Sequence, residues 1–129
     1  MGKDTIADAM INLKNNENAA KKECILKPSS KLLGEILRVM QENGYIGEYS
    51  LIEAKNGGSF KVRLIGKINE CRAIKPRHAV KKDEFEKFEK RYLPAYDVGK
   101  IIVSTSKGIM THDKAKQLNL GGRLLVYVY

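Results

Sequence analysis

The run Ser104-Thr105-Ser106-Lys107-Gly108 concentrates more reactive chemistry than any other stretch of the chain. Each hydroxyl can donate and accept a hydrogen bond, the lysine is a cation on a flexible stem, and the glycine lets another backbone come close. Such a set suits a sugar-phosphate groove. The shallow minor groove of A-form RNA displays 2′-hydroxyls and base edges, which Ser and Thr can both donate to and accept from, while a lysine reaches phosphate. This chemistry fits RNA better than DNA. A plain polar turn between a strand and a helix would use the same residue types, so composition does not separate the two readings.

Enzymatic readings of the same residues fail on what surrounds them. Ser104 and Lys107 match the Ser-x-x-Lys spacing of penicillin-recognising acyl enzymes, but the Ser-Asp-Asn and Lys-Thr-Gly companions of that mechanism are missing. Neither G-x-x-x-x-G-K-[ST] nor G-x-G-x-x-G occurs, so nucleotide hydrolysis has no support. Cys24 and Cys71 are far apart without CxxC spacing, and His78 and His112 complete no zinc pattern with them. Both cysteines read as small core residues. The expectation is a protein without catalysis, cofactor or metal.

Charge points to a polyanionic partner. The 129 residues carry a formal charge of +9, and each phosphate neutralised by Lys or Arg releases condensed counterions. Residues 1–70 hold 11 basic and 9 acidic side chains, whereas residues 71–129 hold 13 and 6. The C-terminal half should therefore hold most of the electrostatic footprint. No stretch approaches the roughly 20 apolar residues that span a bilayer, and the Met-Gly-Lys-Asp start has no apolar signal region. A cytoplasmic location is expected.

The elements that must position these residues follow from periodicity and punctuation. Thr5 and Asp8 resemble a capping box with Asp4 as a competing cap, and Ile6, Ala9, Met10 and Leu13 then repeat at helical spacing to about residue 20. A short strand at Glu23 to Lys27 is stopped by Pro28, after which Ser29 or Ser30 can cap a second helix. Leu32, Leu33, Ile36, Leu37 and Met40 form its apolar stripe, and Asn43-Gly44 ends it. Tyr45 to Ala54 and Ser59 to Ile65 read as a hairpin joined by Lys55-Asn56-Gly57-Gly58. In its second strand Phe60, Val62 and Leu64 alternate with Lys61 and Arg63, giving one apolar and one basic face. That basic face meets either water or a partner.

A β-prone piece at Glu70 to Lys75 ends at Pro76, and the basic stretch Lys75-Pro76-Arg77-His78 marks a module boundary, dividing 1–75 from 76–129. Asp83 to Tyr92 reads as a charged helix with Phe85, Phe88 and Tyr92 on its core side. Ile101-Ile102-Val103 form a buried strand that leads into the hydroxyl-rich loop. A short helix from about Thr111 to Asn119, a turn at Gly121-Gly122 and a last strand from Arg123 to Tyr129 complete the chain. Helices and short strands mix without regular alternation, so the class is α+β.

Several segments together resemble the universal small ribosomal subunit protein eight family. They are Asp4-Thr5-Ile6-Ala7-Asp8-Ala9-Met10, Pro28-Ser29-Ser30-Lys31, Gly44-Tyr45-Ile46, Ser104-Thr105-Ser106-Lys107-Gly108-Ile109-Met110, Gly121-Gly122 and Tyr127-Val128, in the family's order across the whole chain. The resemblance implies two small packed modules, the first of two helices plus three strands, the second a three-stranded sheet with short helices. It implies binding to the central domain of small-subunit ribosomal RNA and assembly of the platform, alongside neighbouring small-subunit proteins, by a chain that is a monomer when free.

Carried over to this chain, the resemblance sets Ser104, Thr105, Ser106, Lys107 and Gly108 against the RNA minor groove. It sets Asp4, Thr5, Ser29, Ser30 and Lys31 near the RNA backbone, although capping accounts for the serines equally well. Arg77, Lys61, Arg63 and Arg123 are secondary candidates. Two departures concern the neighbours of the loop: bacterial members often carry Gly-Gly-Glu where Gly121-Gly122-Arg123 stands here, and an aromatic near Val80. The charged segment from about Lys81 to Asp97 is similar to archaeal and eukaryotic members, which suggests an archaeal source. A non-ribosomal RNA- or DNA-binding module, or a translational repressor acting on messenger RNA, is the alternative.

Overall fold

The computed structural model describes residues 5–55 and 57–129. Asp4, and with it the choice of cap for the first helix, lies outside the described residues, as does Asn56 of the expected turn. The chain forms two compact units, Met1–Cys71 and Arg72–Tyr129.

In the first unit the apolar stripes decide the packing. Helix α1 (Thr5–Asn18) buries Ile6, Ala9, Met10 and Leu13, at the spacing that puts side chains on one helix face. Strand β1 (Glu23–Leu26) follows, then helix α2 (Lys31–Glu42), which buries Leu33, Ile36, Leu37, Val39 and Met40. The hydroxyl oxygen of Ser30 accepts from the Leu33 N–H at 3.1 Å and so caps α2. Gly44, at φ +78, reverses the chain after this helix. Strands β2 (Ile46–Ile52) and β3 (Ser59–Leu64) complete an antiparallel sheet ordered β1-β3-β2. Cys24, Leu26, Phe60, Val62 and Leu64 form its buried face, and Phe60 packs directly on Gly34 of α2.

The second unit contains more strands than its periodicity announces. Two of them fall where strands are expected, β6 (Lys100–Thr105) and β8 (Gly122–Val128), and β6 has a further, unexpected partner on its far side. That partner is β7 (Gly108–Thr111). The sheet runs β4-β8-β6-β7, where β4 is Cys71–Ala73, and β5 (Ala79–Val80) also pairs with β8. Pro76 lies between β4 and β5 and has no N–H to donate, so the ladder along β8 is split into two pieces of three and two residues. Helix α3 (Phe85–Tyr92) and the short α4 (His112–Gln117) pack on this sheet. Ile74, Val80, Phe85, Phe88, Ile101, Val103, Met110, Ala115 and Leu124 form one core cluster, with Tyr92 packed at its edge. Phe85 and Phe88 are therefore consumed by packing and offer no base-stacking surface. Both cysteines are buried and unbridged.

Candidate nucleic-acid interface

Antiparallel pairing of β6 with β7 sets Thr105 opposite Gly108 and Ser104 opposite Ile109. The hydroxyl-rich run is consequently the tip of a tight β-hairpin with Ser106 and Lys107 as its two turn residues. The sequence reading had it lead to a helix; instead β7 comes first, and Thr111 then caps α4 by accepting from the Lys114 N–H at 3.3 Å. Neither Ser106 nor Lys107 has a positive φ, and the reversal falls on Gly108 at φ +111. A type I turn followed by a glycine is one of the standard ways to close such a hairpin. No atom lies within 4 Å of where a Gly108 Cβ would stand, so the glycine serves the backbone torsion and not the space.

The three hydroxyls do different things. Thr105 Oγ1 donates to the Gly108 carbonyl at 2.7 Å and accepts from the Lys107 N–H at 3.1 Å, which pins the turn from inside. Its proton is thus committed, and one lone pair is left over. Successive strand residues point to opposite faces. Thr105 lies on the side of Met110, whose sulfur is 4.0 Å from Oγ1, while Ser104 belongs to the other face. Ser106 and Lys107 are exposed at the tip.

Reading across the strands shows what Ser104 stands beside. Arg123 pairs with Ser104 on one side and with Ala79 on the other, and Ile109 lies beyond Ser104. Directly paired residues share a face, so Ala79, Arg123, Ser104 and Ile109 form one row. Ala79 and Arg123 are exposed, and Ser104 and Ile109 are half-buried. The row behind it, Leu124, Val103 and Met110, is core. Arg123 Nη1 donates to the Arg77 carbonyl at 3.2 Å, tying a second arginine to the same sheet end. The fold therefore brings Ser104, Ser106, Lys107, Arg77 and Arg123 together within the second unit. Ile109 is a member of this face that the sequence reading missed. The signal for it was the β-prone Ile109-Met110-Thr111 directly after Gly108.

In the first unit the candidates fall into separate groups. Ser29, Ser30 and Lys31 line a groove of about 420 Å³ with Arg38 and Tyr49 at the start of α2. Ser29 is held there by its N–H, which donates to the Gly58 carbonyl at 2.7 Å. Thr5 is the half-buried first residue of α1. Lys61 and Arg63 lie on the opposite, outward face of the β1-β3-β2 sheet, exposed beside Glu23. Lys61 Nζ stands 3.5 Å from the Glu23 carboxylate.

A cluster beneath the hairpin strands has a supporting role. His112 is 2 % exposed; its Nδ1 accepts from the Ile101 N–H at 3.1 Å, and its Nε2 lies 2.9 Å from Glu89 Oε1. Burial pushes the His112 pKa down against the opposing pull of Asp113 and Glu89. Burial raises Asp113, but the Lys100 hydrogen bond and the charges of His112, Lys100 and Lys116 outweigh it and hold this carboxyl below its usual value. Glu89, His112 and Asp113 place donor atoms within 4.8 Å of one another. With Nδ1 already accepting, however, Nε2 carries the ring proton, and a metal there would require an imidazolate or the loss of the Ile101 bond. Lys116, at 2.7 Å from Glu89, and Lys100, paired with Asp113, already neutralise the carboxylates. The cluster ties α3 and α4 to β6. The adjoining cleft of about 610 Å³ is lined by five acidic side chains and three lysines, the reverse of the chain's balance, and so disfavours phosphate.

Among the described residues no helix is long and apolar enough to cross a membrane. The family model described as Ribosomal protein S8 matches residues 4–129, almost the entire chain, and its α+β, two-sheet architecture is the one built here. The chain belongs to the ribosomal protein S8 family: it is a structural protein of the small ribosomal subunit and not an enzyme.

Proposed function

We propose that the protein binds the central domain of small-subunit ribosomal RNA through the β6–β7 hairpin and the strand ends beside it, and so helps assemble the platform. One observation carries this reading. The hairpin presents Ser104, Ser106 and Lys107 at the same sheet end as Arg77 and Arg123, in the half of the chain with 13 basic and 6 acidic side chains. Hydroxyls contact sugars and base edges in the minor groove, Lys107 meets a phosphate, and Gly108 admits close approach of the RNA backbone. Thr105 contributes chiefly by fixing the turn. Ser29, Ser30 and Lys31, together with Thr5 and Asp4, form a second contact with the RNA backbone, and Lys61 and Arg63 add charge from the first sheet. Neighbouring small-subunit proteins are its other partners, in the cytoplasm and on the ribosome, and the free chain is a monomer.

Footprinting on purified small-subunit ribosomal RNA tests partner and location together, with protection expected in the central domain. Binding of a central-domain fragment by Lys107→Ala, titrated over salt, tests the site. The slope of log K against log salt should fall by roughly one unit, as expected for one lost phosphate contact. An unchanged slope and affinity would remove Lys107 from the interface.

A further inference from the structure

We propose that Gly121 and Gly122 are positioning residues for the RNA site, seating β5 on one side and the β6–β7 hairpin on the other at a spacing that no side chain permits. This rests on the reading of the hairpin as an RNA contact. A Cβ built on Gly121 would stand 2.5 Å from the Val80 carbonyl oxygen and 3.2 Å from the Lys81 Cα. One built on Gly122 would lie within 3.0 Å of the Ser104 carbonyl oxygen and 3.2 Å from the Thr105 methyl. Neither glycine has a positive φ. The requirement is space and not torsion, the converse of Gly108.

The obstructing atoms are mostly backbone, which cannot rotate aside as a side chain would. Relief at residue 122 must therefore push the Ser104-Thr105 segment off β8, at the base of the hairpin tip that carries Ser106 and Lys107. Relief at residue 121 must push off Val80 to Lys82, the end of β5 and the two residues after it, and β5 is held to β8 by only two residue pairs. Displacement there moves Arg77, whose carbonyl accepts from Arg123. A shift of about 1 Å is enough to spoil a preorganised binding geometry, while the core row of Val103, Leu124 and Met110 stays buried.

The test is a pair of double-mutant cycles read as affinity for a central-domain RNA fragment at fixed salt. Gly122→Ala should weaken binding about tenfold, the loss expected for one or two misaligned hydrogen bonds. Adding Lys107→Ala to it should then cost less than Lys107→Ala costs alone, because the two act through one hairpin. Gly121→Ala should couple in the same way to Arg77→Ala and be independent of Lys107→Ala. A glycine that supports only general stability would give multiplicative losses in both cycles, and that result overturns the positioning role while leaving the RNA site intact. Should Gly122→Ala fail to fold, the Gly121→Ala and Arg77→Ala cycle decides by the same criterion. If Lys107→Ala and Arg77→Ala each leave binding unchanged, the RNA-site reading itself fails and the positioning role goes with it.

Discussion

Replacing His112 with alanine removes the acceptor used by a backbone N–H that is buried in β6, and the structure sets the size of the loss. Ile101 is 0 % exposed, so its N–H cannot turn to water once Nδ1 is gone. An unsatisfied buried donor costs about 1–3 kcal/mol. The ring also packs at 6.5 Å from Phe85, a contact worth roughly 1 kcal/mol. The expected destabilisation is about 2–4 kcal/mol, a fall in Tm of roughly 8–16 °C for a chain of this size. Asparagine separates the contributions, because its Oδ1 can take the place of Nδ1 and accept from Ile101 while the ring and its Glu89 contact are lost. His112→Asn should lose about half as much as His112→Ala. Equal losses in thermal melts would refute the assignment of the Ile101 bond as the larger part.

The same geometry fixes the direction of a pH effect. A ring that accepts at Nδ1 is neutral, and burial, the largest influence, lowers its pKa in the folded state. The unfolded chain therefore binds the proton more readily, at an ordinary value of about 6.5. The stability from the neutral ring is present above that value and is lost as pH falls from about 6.5 toward the folded pKa. Melts at pH 7.5 and 5.5 should show this loss in the wild-type chain and a shallower one in His112→Asn. An unchanged acid-side slope in the variant would place the effect elsewhere.

Two further outcomes are expected. Thr105→Val leaves the exposed Gly108 carbonyl and Lys107 N–H to water, so stability should fall by only about 0.5–1 kcal/mol, whereas hydrogen exchange at Lys107 should accelerate and RNA affinity drop; unaltered exchange would mean that the hydroxyl does not hold the turn. Cys24 is pushed up to about 11 by burial and then by Glu17, and Cys71 up to about 12 by burial and then by Glu70; both thiols should resist a disulfide reagent at pH 8 until denaturant is added, and rapid labelling of the native protein would contradict their placement.

What the sequence reveals depends on how far apart the interacting residues are. The stripes of α1 and α2 and the alternation of Phe60, Val62 and Leu64 are local patterns, and these residues are buried as expected except Leu32, which is half-buried while Val39 takes a place in the core. Ser30 as the cap of α2 is equally local, with only the choice between two adjacent serines left to the fold. β7 was not legible because Ile109-Met110-Thr111 is too short to show a period and its residue types also suit the start of a helix. β5, two residues long, escapes for the same reason, whereas β4 lies within the β-prone piece Glu70 to Lys75. The row that joins Ser104 to Arg123 and Ala79 is a property of strand order, which no local pattern encodes. Once β6 is seen to run through Thr105, the opposite facing of Ser104 and Thr105 follows from strand geometry alone.

The division of labour within the hairpin bears on how such a site would discriminate between RNAs. A long cation must give up rotamer freedom when it is ordered, whereas serine and threonine have little to lose. Here Ser104 sits on a paired strand and Ser106 in the tight turn, which Thr105 and Gly108 fix before any ligand arrives. The cost of ordering that surface is incurred on folding and not on binding. Arg123 is likewise held in advance by the Arg77 carbonyl. On the proposed reading, the basic side chains supply the salt-dependent attraction that any RNA would share, and the serine hydroxyls of the fixed hairpin supply the part that depends on groove shape. Raising salt should therefore weaken binding to every RNA while widening the ratio between the central-domain fragment and a generic duplex. A ratio that collapses with salt would mean that charge alone does the selecting.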